Sequence, residues 1–133
     1  MPLSMGAFLF EGGLIVKRPF VYICSPYRGN TTANEHKARE YCRKAYDAGY
    51  LPIAPHLLFP QFLNESVPEE RENGLEMAKE LLRRCRSIAI CGDTVTDGMM
   101  EEIMLANKMN MAGLFIDETL VTRKLGKTPR GVH

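Results

Sequence analysis

Glu102 stands nine residues beyond the turn Gly92-Asp93, inside Thr96-Asp97-Gly98-Met99-Met100-Glu101-Glu102-Ile103. An apolar run, Ser87 to Cys91, precedes the turn, and Met99, Ile103 and Ala106 follow it at helical spacing. The pattern reads as strand, loop, helix, with a carboxylate in the first helical turn. In an open α/β sheet, ligands bind at the carboxyl ends of the strands. A helix N-terminus favours the ionised form of a carboxylate placed there. An ionised, positioned Glu is what a glycosyl-transfer nucleophile must be. The alternative is a solvated Glu, since acids are common at helix starts.

Other residues fall on the same predicted rim. Ser25-Pro26-Tyr27-Arg28-Gly29-Asn30 follows the first apolar run. Arg28 offers a planar, permanently charged fork for phosphate or carboxylate, and Gly29 lets backbone approach a ligand closely. The loop is neither a Walker loop nor a G-x-G-x-x-G fingerprint, so an ordinary surface loop is its alternative. His56 follows the second strand and suits a base or sugar hydroxyl, or else a structural hydrogen bond. Phe59 and Phe62 can stack on a base or fill core. Asp93 and Asp97 flank the third loop, where either can position a sugar hydroxyl, orient Glu102, or simply shape a turn. Gly98 exposes backbone N–H groups at a helix start, a possible anion site. Glu101 points about 100° around the helix from Glu102, so the two are not a working pair.

The elements that must position these residues follow from periodicity. Phe20 to Cys24 is a buried strand, and Thr31-Thr32 caps a helix running to about Ala48, where Gly49 stops it. Tyr50 to Ala54 is a short strand. His56 to Val67 has no clean period and reads as a partly buried loop or short helix. Pro68 opens a second long helix with Leu75, Ala78, Leu82 and Cys85 on its core face. Ser87 to Cys91 and Ala112 to Ile116 are further strands, with a weaker fifth around Leu120-Val121. Alternating strands and helices imply a parallel sheet covered on both faces, a small doubly wound α/β domain. Residues 19–118 form the domain. Residues 1–18 are an extension that can pair as a hairpin, Ala7 to Phe10 against Leu14 to Val16. Residues 119–133 are a polar tail.

Composition bounds the partners. The 133 residues suit one domain, and 45% hydrophobic with 25% charged residues is ordinary for a soluble globular protein. A net charge of +1 gives no electrostatic reason to expect nucleic acid or an anionic membrane. No apolar run reaches the roughly 18 residues of a membrane span, and the N-terminus lacks the basic start of a signal peptide. Cys24, Cys42, Cys85 and Cys91 show no C-x-x-C spacing and read as reduced core thiols of a cytoplasmic protein. The three histidines are too scattered for a metal site, and no cofactor is expected.

Taken together, Val21-Tyr22-Ile23-Cys24-Ser25-Pro26-Tyr27-Arg28-Gly29 and Thr96-Asp97-Gly98-Met99-Met100-Glu101-Glu102 resemble the two signatures of the nucleoside 2-deoxyribosyltransferase-like superfamily. That group includes nucleoside deoxyribosyltransferases and nucleoside 5′-monophosphate N-glycosidases, and the likeness is greatest to a bacterial and phage branch of it. The resemblance covers about Phe20 to Ile116. It implies a flavodoxin-like parallel sheet and Glu102 as nucleophile at the anomeric carbon; Asp93, from its place in the third loop, is a second catalytic candidate. It also implies substrate contacts from Tyr22, Ser25, Tyr27, Arg28, Gly29, His56, Thr96, Asp97 and Gly98. Thr96 resembles the phosphate-gripping Ser of the monophosphate hydrolases rather than the Asp of enzymes acting on free nucleosides. Met100 and Pro26 depart from the hydrolase pattern. The family's leaving-group acid is an Asp on the helix before the third strand, where this chain offers Glu76 and Glu80 with nothing to choose between them. The substrate is then a nucleoside or (deoxy)nucleoside 5′-monophosphate, cleaved or transferred at its N-glycosidic bond. The alternatives are deoxyribosyl transfer between free bases and a non-catalytic nucleotide-binding module. The resemblance implies a homo-oligomer as well. Met99, Met100, Met104, Leu105, Met109 and Met111 carry more apolar surface than one sheet-facing stripe needs.

Overall fold

The computed structural model describes residues 7–10 and 13–124. Strands β1 (Ala7–Phe10) and β2 (Gly13–Val16) pair antiparallel as a separate two-stranded sheet, from Ala7 opposite Val16 to Phe10 opposite Gly13. The main sheet has five strands: β3 (Phe20–Cys24), β4 (Leu51–Ile53), β5 (Ser87–Cys91), β6 (Ala112–Ile116) and β7 (Thr122–Lys124). Their order is β4-β3-β5-β6-β7. The first four are parallel, and β7 runs antiparallel to β6. Three helices connect them: α1 (Thr31–Asp47), α2 (Pro68–Arg83) and α3 (Asp97–Lys108). This is the doubly wound α/β architecture that the alternation of elements predicts.

The central strands read as continuous apolar runs because helices cover both faces. Successive side chains of β3 serve opposite layers. Val21 and Ile23 join Ala89, Cys91, Leu114 and Ile116 against Tyr41 and Ala45 of α1. Tyr22 and Cys24 join Ile88 and Ile90 against Leu82 of α2 and Met99 and Ala106 of α3. The four cysteines are free thiols, three of them buried. Among the described residues no helix is long and apolar enough to cross a membrane.

Several boundaries differ from the sequence reading. Asn30, not Thr31-Thr32, caps α1, because its backbone is non-helical and its side-chain oxygen accepts from the Ala33 N–H at 3.1 Å. Helix α3 begins at Asp97, capped by Thr96 Oγ1 accepting from Met99 N–H at 3.2 Å. Glu102 therefore lies in the second turn, where the influence of the helix dipole has fallen off. The fifth strand starts at Thr122 instead of near Leu120-Val121. Asp117 Oδ1 accepts from the N–H groups of Thr119 and Val121, and Leu120 takes a φ of 63°, so these residues turn the chain before it can pair. The sheet thus continues past Glu118. The stretch after β4 holds two 3₁₀ turns, Pro55–Leu57 and Phe59–Gln61. Of the methionines, Met99 is buried while Met100 and Met104 stay 46% and 63% exposed. The tail from Lys127 lies outside the described residues.

The loop from β5 to α3 is braced from below. Glu118 accepts from Lys37 Nζ, from the Tyr41 hydroxyl at 3.4 Å and from the Asp93 backbone N–H. Gly92 sits against this cluster with a φ of 88°, and a Cβ there would lie 3.1 Å from both Glu118 Oε2 and the Tyr41 hydroxyl oxygen. Only glycine takes that conformation without strain. Gly92→Ala is expected to cost about 1–3 kcal/mol of stability, read from urea unfolding midpoints. A midpoint equal to wild type would mean that the brace yields freely.

Candidate active site

The strand order reverses between β3 and β5, and the loops leaving those strands diverge there to leave a crevice. A cavity of about 430 Å³ opens at this point. It is lined by Ser25, Tyr27 and Arg28 from the loop after β3, by His56, and by Thr96, Asp97, Gly98, Met99 and Glu102 at the start of α3. Phe59 and Leu63, from the segment after β4, line it too, as do Arg71, Leu75, Ala78 and Lys79 of α2. Eight of the eleven candidate catalytic and substrate-contact residues, and Phe59 besides, thus meet in one place.

Glu102 is partly buried, and its Oε2 accepts a 2.5 Å hydrogen bond from the Tyr22 hydroxyl. Tyr22 is wholly buried. Burial, the nearby carboxylate and the hydrogen bond all push its own ionisation far up, so the phenol stays protonated and donates. Burial raises the Glu102 carboxyl above the ordinary carboxylate range. Hydrogen bonds from Tyr22 and the Cys24 thiol oppose that rise, as does the charge of Lys79, while Glu101 adds to it. This corrects the expectation of a carboxylate held ionised by a helix N-terminus. Desolvation dominates, and neighbouring donors, not the dipole, counter it.

His56 Nε2 lies 2.9 Å from the Ser25 carbonyl oxygen, which can only accept, so the ring carries its proton there. Burial holds the imidazole below its usual range and neutral, leaving Nδ1 as an acceptor. The ring stacks on Tyr27 with centroids 5.1 Å apart. The Tyr27 and Arg28 carbonyls accept from Asn34 Nδ2, fixing the loop that carries Arg28. The Ser25 hydroxyl is buried without a partner. The Thr96 oxygen accepts the capping hydrogen bond, so its hydroxyl proton remains available to a ligand.

Other expected residues fall elsewhere. Asp93 does not reach Glu102. It lines a separate cavity of about 130 Å³ with Lys37, Tyr41 and Glu118, because Glu118 draws its loop to the α1 side of the sheet. Gly29 lines neither cavity; its φ of 99° turns the Arg28 loop into α1. Phe62 is 63% exposed. Glu80 pairs with Arg83 and Arg84, and Glu76 with Lys79, so neither lines the Glu102 cavity. Sequence reasoning missed Lys79 and Arg71, which helix α2 turns toward the cavity at i, i+8 spacing, one face of a helix. Glu101, exposed at the rim, is 3.6 Å from Lys79 Nζ.

The fold is that of a deoxyribosyltransferase. A solved 2-deoxyribosyltransferase from Bacillus psychrosaccharolyticus superposes with a TM-score of 0.57 at 17% identity, covering 74% of this chain and 72% of the other. The chain itself belongs to the family described as a domain of unknown function, DUF7768, whose model matches residues 19–116. No curated protein sequence matches it.

A carboxyl whose folded-state ionisation is raised contributes stability that is full below its unfolded value and lost as pH climbs through the folded one. Glu102→Gln keeps the acceptor for Tyr22 and removes the charge. The variant is expected to melt above wild type at pH 7–8, with the gap closing in acid. Melting curves across pH measure this. A variant less stable than wild type at every pH would contradict the burial cost.

Proposed function

We propose that the protein cleaves or transfers at the N-glycosidic bond of a nucleoside or (deoxy)nucleoside 5′-monophosphate, with Glu102 as nucleophile. The observation that carries this reading is the partly buried Glu102 carboxylate, held by the Tyr22 hydroxyl at 2.5 Å and lining a nucleotide-sized cavity. The bond from Tyr22 fixes the orientation of the carboxylate. Glu102 adds to the anomeric carbon, the base leaves, and water or a second base takes the sugar from the ester. Arg28, Thr96 and the α3 N-terminus at Gly98 offer charge and N–H donors to a 5′-phosphate. His56, stacked on Tyr27, and Phe59 offer an acceptor and aromatic faces to a base.

Transfer of deoxyribose between free bases is the second reading, favoured by the shared fold with a 2-deoxyribosyltransferase. The lack of a carboxyl from α2 in the cavity favours a non-catalytic nucleotide-binding module. We also propose self-association through the face bearing Met100 and Met104. Light scattering giving only a 15.0 kDa species at micromolar concentration refutes it.

Screening nucleosides and their monophosphates for free base, with and without an acceptor base, tests the activity. Glu102→Gln abolishes release, whereas Glu101→Gln is mild; equal loss in both variants rejects Glu102 as nucleophile. Arg28→Ala raises KM for the monophosphate about tenfold or more, and far less for the nucleoside. A wild-type preference for the nucleoside rejects the phosphate contact and favours deoxyribosyl transfer. Since Glu102 must be ionised to attack, base release falls on the acid side. Tyr22→Phe removes a bond that favours ionised Glu102, so the acid limb of the rate profile moves to higher pH. An unmoved limb would assign that limb to another group.

A further inference from the structure

Breaking a C1′–N bond leaves an electron pair on the departing base, which must be met by a proton or a cation. The groups facing the cavity differ in their capacity for this. The guanidinium groups of Arg28 and Arg71 do not give up protons. His56 is kept neutral, and its one ring proton is committed to the Ser25 carbonyl. Glu65 and Asp97 are exposed at the mouth, and Glu101 is tied to a lysine. That lysine is Lys79, on the helix that faces α3 across the cavity. Its side chain is 30% exposed, and its Nζ lies 3.7 Å from Glu76 Oε2 and 3.6 Å from Glu101 Oε1. Two carboxylates, one from each helix, thus hold the ammonium between α2 and α3. Both contacts are ion pairs longer than hydrogen bonds, so the N–H donors of the ammonium are open to a ligand in the cavity.

We propose that Lys79 is the proton donor to the leaving base. The inference rests on the glycosyl-transfer reading of Glu102. As a Glu102 oxygen bonds C1′, the C1′–N pair passes to the base nitrogen, and a Lys79 Nζ proton moves to the base. Lys79 is left as an amine. In hydrolysis, water adds its hydroxyl to C1′, returns its proton to Lys79 and releases Glu102 as carboxylate. Glu101 and Glu76 are positioning residues that share the aiming of the ammonium, so loss of Glu101 alone leaves Glu76 to hold it and is mild. A lysine thereby does the work for which this helix turns no carboxyl into the cavity.

The test compares two substrates that share one sugar 5′-phosphate. One is the nucleotide found by screening, and the other is the 4-nitrophenyl glycoside, whose phenolate leaves without a proton. Lys79→Met keeps length and removes donor and charge. It is expected to cut kcat on the nucleotide by about 10²–10⁴-fold, with KM little changed. On the nitrophenyl substrate its rate stays close to wild type. Lys79→Arg keeps the charge but cannot supply the proton, so it follows Lys79→Met. Equal loss on both substrates overturns the proposal and makes Lys79 structural, as does full activity of Lys79→Arg, which leaves only a fixed charge. Glu102→Gln must lose both substrates; if it retains either, the glycosyl-transfer reading itself fails, whatever Lys79 does. Wild-type protein that cleaves neither substrate overturns both.

Discussion

Taking a carboxylate out of water costs several kcal/mol unless donors replace the lost hydration. In this protein that cost is concentrated at Glu102, and the Tyr22 hydroxyl is its main compensation. The arrangement demands much of the scaffold. Tyr22 must lie on the α2–α3 face of the sheet, at a height set by its pairing with Ile53 on one side and Ile88 on the other. A one-residue slip of β3 would turn Tyr22 to the α1 face and leave Glu102 buried without its donor. The continuous apolar runs of β3 and β5, packed on both faces, hold that register.

A carboxyl pushed above its ordinary range is a reservoir of reactivity as well as a burden on stability. Desolvation makes it a stronger base and a better nucleophile when ionised, while Tyr22, Cys24 and Lys79 keep ionisation within reach. The cavity combines this carboxylate with cations on two other walls, Arg28 on the β3 loop and Arg71 and Lys79 on α2. Its charge is thus balanced across elements rather than within one.

The fold was legible in the sequence because burial on both faces leaves long apolar strands, and because Pro68 and Gly49 mark helix ends. Glu102 and Arg28 were legible from residue type and place on strand ends. Tyr22 was legible only through the resemblance, since a Tyr in a buried strand looks like core. Three things were not legible. Asp93 looked like a partner of Glu102 because it is near in sequence, yet Glu118, from beyond β6, pulls its loop to the other face. Lys79 carried no local signal, because the cavity it lines and its partner Glu101 belong to other elements. The raised ionisation of Glu102 depends on three-dimensional burial, which no local pattern reports.

Eighty residues separate Tyr22 from Glu102, and the two must meet to make the central hydrogen bond. Synthesis is vectorial, at about 5–20 residues per second, so roughly 4–16 s pass between the making of one and of the other. Throughout that interval Val21, Tyr22, Ile23 and Cys24 are present without β5, their central neighbour in the sheet, for most of the time and without β6 throughout. The nascent chain can pair β3 with β4 on one edge and pack α1 on one face, but the other edge of β3 stays open until β5 is made. The same long-range closure that builds the cavity ties the formation of the site to the late synthesis of α3.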